Sequence, residues 1–141
     1  MDRILKAIEL FLTQLEALQS ELAAVMAEKR NAMTDLQGDG LTKICEEEHL
    51  LVTRLQRLLH ERHRILEFAK QRNLPSETLL QLVQAIGGDH EEKLSRRIEQ
   101  GQETAGQLRQ ESWVHWIISH RSYNHYTAPC PSTHSAQSTI V

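Results

Sequence analysis

Apolar positions in the first quarter of the chain recur at Ile4, Ile8, Phe11, Leu15, Leu18, Leu22 and Val25. Steps alternating between four and three keep these side chains on one side of a 3.6-residue helix. A second column, Leu5, Leu12, Met26 and Met33, widens the stripe beyond the seam of a two-stranded coil and predicts a bundle face. The pattern closes at Leu36. Gln37-Gly38-Asp39-Gly40 follows, with glycines to supply the left-handed positions of a helix stop. From Leu41 to Ala69 three columns repeat every seven residues. One holds Ile44, Leu51, Leu58 and Ile65, and a second holds Cys45, Val52, Leu59 and Leu66. A flanking column runs Leu41, Glu48, Leu55, Arg62, Ala69. The spacing predicts helices over Asp2–Leu36 and Leu41–Arg72, about 52 and 48 Å long at about 1.5 Å per residue. Matched lengths and a short link make them antiparallel neighbours.

Asn73-Leu74-Pro75-Ser76-Glu77 interrupts the pattern. Pro75 cannot continue a helix, and Ser76 is a good N-cap for a new one. Leu79, Leu80, Leu82, Val83 and Ile86 predict a short apolar helix that stops at Gly87-Gly88. Asp89 with Glu92 three residues on resembles a capping box and opens a third long helix over His90–Tyr126, about 55 Å long. The fold class is therefore all-α: an elongated antiparallel bundle of three long helices with one short connecting helix. Residues 1–126 form the bundle. Residues 127–141 are aperiodic and rich in Ser, Thr and Pro, which predicts a disordered tail.

The third long helix is uneven. Its first half has only Leu94, Ile98, Ala105 and Leu108 to bury, with Gly101 and Gly106 inside. Each internal glycine costs about 0.5–1 kcal/mol relative to alanine. From Trp113 the character changes, because Trp113, Val114, Trp116, Ile117 and Ile118 point nearly all round the axis. One face can pack on the first two helices, and the opposite face then lacks a partner within the chain. Trp113, Trp116, Tyr123 and Tyr126 make up four of the six aromatic side chains. Tryptophan and tyrosine often anchor protein interfaces, because they bury much area and keep a polar tip. The plainer alternative is that they cap the end of the bundle.

Composition narrows the classes of function. A net charge of −3 gives no global basic field for nucleic acid. No stretch approaches the roughly 18 consecutive apolar residues of a membrane span. Met1-Asp2-Arg3-Ile4-Leu5 lacks the order of a secretory signal, so a cytoplasmic, reduced protein is expected, with Cys45 and Cys130 forming no disulfide framework. His60, His63, Glu46 and His49 invite a metal reading, but a di-iron bundle needs two Glu-x-x-His motifs and this chain offers one. All four fall on the polar side of the second helix, so neither a metal nor another cofactor is expected. Cys45 sits in a core column and reads as a small hydrophobe, not as a nucleophile. Glu48 and Arg62 occupy apolar-column positions, either as inward register-setting groups or, more commonly, at the edge of the stripe. The chain reads as a binding protein without catalysis.

The ensemble resembles the FlgN-type flagellar export chaperones. The likeness covers about residues 1–126: two long Leu-rich helices, the break Asn73-Leu74-Pro75-Ser76-Glu77-Thr78-Leu79-Leu80, a short helix and a long last helix. Glu111-Ser112-Trp113-Val114 leading to Arg121-Ser122-Tyr123-Asn124-His125-Tyr126 is similar in placement to the family's C-terminal binding stretch. The resemblance implies a cytoplasmic chaperone that shields C-terminal helical segments of hook–filament junction proteins and hands them to the flagellar type III export gate. It implies Trp113, Trp116, Ile117, His120 and Tyr123 as cargo contacts and Tyr126 in gate docking. Their spacing suits helix-in-groove recognition. A homo-oligomerising structural coiled coil is the other reading of the same surface.

Overall fold

The computed structural model describes the backbone of residues 2–34 and 40–122, and side chains within 3–33 and 40–115. Its regular elements are all helical: α1 (Asp2–Thr34), α2 (Leu41–Gln71), α3 (Leu79–Ile86), a 3-10 turn (Gly88–His90) and α4 (Glu91–Ser122). Three long helices of 33, 31 and 32 residues and one short connecting helix are thus present. The predicted end of the first helix at Leu36, the last residues of the third helix and the tail lie outside the described residues.

Side-chain pairing gives the directions of the helices. Lys29 meets Glu48 and Glu21 meets Arg54, so position rises along α1 as it falls along α2, and the two are antiparallel. Between α1 and α4 the offset stays at 81 or 82: Glu16 with Arg97, Gln19 with Gly101, Arg30 with Glu111. α4 therefore runs parallel to α1 and opposite to α2. α3 turns the chain, burying Leu79, Leu82, Val83 and Ile86 against the neighbouring helices.

α1 is the central helix, packed on both α2 and α4. Its stripe is sealed: Ile8, Leu12, Leu15 and Leu22 have no exposed surface. On α2 the stripe is less fully covered, with Leu51, Val52, Leu58, Ile65 and Leu66 each retaining 7–9% of their surface. Burying a large aliphatic side chain contributes roughly 1.5–3 kcal/mol, and all four helices contribute such side chains to one core.

The ends of the elements correct two details. α2 closes in a Schellman motif: Leu74 N–H donates to Ala69 O, Asn73 N–H donates to Lys70 O, and Asn73 sits at φ 60°. The cap of α3 is Thr78, whose Oγ1 accepts from Gln81 N–H at 3.1 Å; Ser76, the expected cap, lies two residues too early. Pro75 and Ser76 remain in the extended link because the Schellman turn delays the helix start. Asp89 lies inside the 3-10 turn and not at the cap of a long helix, since the tight turn after Gly87 brings the chain round before α4 begins.

Candidate functional site

α4 carries the candidate site. Its buried stripe runs Leu94, Ile98, Gly101, Ala105, Leu108, Ser112, His115, in steps of four and three. Leu94 and Ile98 are sealed against α1, and Gln19 Nε2 donates to Gly101 O at 3.1 Å. Among the described residues, Leu108 is the last large apolar side chain buried on this stripe. Beyond it the stripe turns polar, with Ser112 at 6% and His115 at 2% exposure. Trp113, one position off the stripe, keeps 52% of its surface exposed.

The buried end of α4 meets a charge cluster contributed by the other two long helices. Lys29 Nζ of α1 donates to Glu48 Oε2 of α2 at 2.8 Å, and both side chains are buried. Arg30 Nη1 pairs with Glu111 at 3.3 Å, and His115 Nε2 lies 3.0 Å from the other oxygen of that carboxylate. Burial holds the His115 pKa below the ordinary histidine value. Lys29 lowers it further, Glu111 opposes by charge and hydrogen bond, and Arg30 adds a smaller lowering. Among the described residues, Glu48 Oε1 and His115 Nδ1 meet no hydrogen-bond partner. Farther down α4, Arg97 is held by Glu16, a pairing that raises the guanidinium pKa.

Of the residues assigned to partner binding, Trp113 is exposed over half its surface. Trp116, Ile117 and His120 lie on the described backbone of α4, but their side chains lie outside the described residues; Tyr123 and Tyr126 lie outside altogether. Ser112, His115, Lys29 and Glu48 were not foreseen as a cluster. The signal was present in the continuation of the α4 stripe past Leu108 onto Ser112 and His115, and of the α1 stripe past Val25 onto Lys29.

Glu46, His49, His60 and His63 are exposed on α2. Among the described residues no group of three or more His, Cys, Asp or Glu side chains could hold a metal ion. Arg62 is half-buried at the stripe's edge, where burial lowers its pKa. Cys45 departs from expectation: it is half-buried and disulfide-bonded, not a free core thiol. The one other cysteine in the sequence, Cys130, lies outside the described residues. Among the described residues no helix is long and apolar enough to cross a membrane.

No protein-family model, curated protein or solved structure matches the chain.

Proposed function

We propose that the chain is a carrier that holds a helical segment of a partner protein on the C-terminal turns of α4. In the more specific form of this reading it is a cytoplasmic export chaperone of the FlgN type. Its cargo is then the C-terminal helices of hook–filament junction proteins, which it delivers to the type III export gate. The observation that carries the reading is the exposed indole of Trp113, set beside a buried stripe that has become small and polar. A large aromatic side chain left half in water is the kind of anchor from which an interface gains most.

The test is calorimetric titration of the full chain with a peptide from the C-terminal helix of a junction protein. Trp113→Ala is expected to weaken binding by at least about 2 kcal/mol, the usual threshold for an interface anchor, while helicity stays as in the wild type. Unchanged affinity in that variant, and in a chain ending at residue 112, overturns the assigned site. A constitutive oligomer in light scattering that dissociates on the same truncation points instead to a self-association surface.

A further inference from the structure

The outward side of α2 bears a surface that the proposed function does not use. α2 packs on α1 and α3, and Leu55 at its middle points into the core with 1% of its surface exposed. At 3.6 residues per turn, the ridge opposite Leu55 carries Glu46 and Arg64, each nine residues away, with Thr53 and Arg57 close to its centre line. Glu46, Arg57 and Arg64 are exposed, and so are Leu50 and His60 beside them. The charges along this ridge are segregated. Negative Glu46 stands before Leu55, and positive Arg57 and Arg64 stand after it. On the flanks positive Lys43 stands before, and negative Glu61 and Glu67 stand after. Turned about a two-fold axis at the height of Leu55, this pattern is complementary to itself. An antiparallel second copy sets Glu46 against Arg64, Lys43 against Glu67 and His49 against Glu61, and symmetry makes each pairing twice. Leu50 then meets the His60 ring, and Arg57 meets Thr53 instead of another charge. Slipping the copy by three residues either way sets Glu46 against Glu61 or against Glu67, like facing like. Attraction in one register with repulsion in its neighbours is how charge aligns paired helices.

We propose that the outer face of α2 is a self-association surface on which two copies of this chain dock antiparallel, with the two-fold axis crossing at the height of Leu55. Arg64 is already held by Glu61 at 3.0 Å, so its guanidinium is oriented before the copies meet and less side-chain freedom is lost on docking. Exposed ion pairs are individually weak and are screened by salt. A pairing built mainly from them is therefore weak, reversible and favoured at low ionic strength. The surface lies on α2, so the pairing does not depend on what the exposed Trp113 of α4 binds.

Sedimentation velocity of the full chain, with no other protein present, reads the pairing directly. A concentration series is run at roughly 0.01 M and roughly 1 M salt, where charges are screened over about 30 Å and about 3 Å. A dimer is expected at the lower salt and a monomer at the higher. Glu46→Arg places like charges opposite Arg64 at both ends of the pairing, and Arg64→Glu does the same opposite Glu46. Each variant alone is expected to weaken dimerisation at the lower salt by about tenfold or more. An equimolar mixture of the two is expected to dimerise as the wild type does, because the mixed pair restores attraction at both ends. Both positions are exposed, so circular dichroism of each variant is expected to match that of the wild type. A wild type that is monomeric at both salts overturns the proposal. So does a dimer that survives unchanged in either single variant, which would place self-association on another surface, and so does a mixture that stays monomeric. Should either variant fail to fold, Lys43→Glu and Glu67→Lys, alone and mixed, decide by the same outcomes.

Discussion

Lys29 Nζ and Glu48 Oε2 lie 2.8 Å apart with both side chains buried, joining α1 to α2. Breaking such a pair from one side strands the other charge in the interior, which costs about 3–5 kcal/mol, whereas replacing both partners with apolar groups of similar volume is often neutral or stabilising. Lys29→Met is therefore expected to lower the urea midpoint strongly, and Lys29→Met with Glu48→Leu to recover most of the loss. A double variant no more stable than the single one would mean that the cluster as a whole, and not the stranded carboxylate, sets the cost.

Stability is expected to fall with acid in a defined direction. The His115 pKa is lowered in the folded chain, so the folded state binds fewer protons than the unfolded one over the interval below the ordinary value of 6.5. Above about pH 6.5 the ring is neutral in both states and the contribution is fully present. As pH falls below that value the unfolded chain gains a proton that the folded one resists, and stability declines until the folded pKa is passed. Urea unfolding of wild type and His115→Gln across this interval isolates the contribution. Parallel curves for the two proteins would remove His115 as its source.

The start of α3 discriminates between two hydroxyls. Thr78 Oγ1 accepts from Gln81 N–H, whereas Ser76 lies in the extended link before it. Thr78→Ala is expected to cost about 1 kcal/mol, the usual loss for an N-cap, and Ser76→Ala close to nothing. Thermal unfolding of the two variants checks the assignment, and the reverse order would place the cap where the sequence alone suggested.

How much was legible in the sequence follows from which forces dominate locally. The long stripes on α1 and α2 were readable because burial of Ile, Leu and Phe at helical spacing overrides local preference. Where α3 begins was not, because a Schellman turn with Asn73 at positive φ shifts the helix start by two residues, and several hydroxyls compete for the cap. On α4 the sequence drew attention to Trp113 by size, and its indole does face solvent. The residues that face inward beside it, Ser112 and His115, escaped a search for large apolar side chains. So did Gln19, which is buried at a gap in the second α1 column because it reaches the Gly101 carbonyl. Gln19 and Lys29 enter this core where another helix supplies a partner, and a single helix's pattern does not contain that information.

Two glycines with opposite surroundings give a final test of the packing. Gly87 joins α3 to the 3-10 turn, and a Cβ there would come within 2.5 Å of Val83 O and 2.7 Å of Glu91 Cα. Both neighbours are backbone, so neither can swing away, and α3 must shift relative to α4. Gly106 sits inside α4 with nothing within 4 Å of where its Cβ would stand. There alanine meets no steric cost and restricts the unfolded chain, a gain of about 0.5–1 kcal/mol. Gly87→Ala is expected to destabilise by about 1–3 kcal/mol through overpacking. The two variants should thus move the thermal midpoint in opposite directions, Gly106→Ala upward and Gly87→Ala downward. Should Gly106→Ala lower it instead, the face of α4 around residue 106 is not open in solution, and something covers it that the described residues do not include.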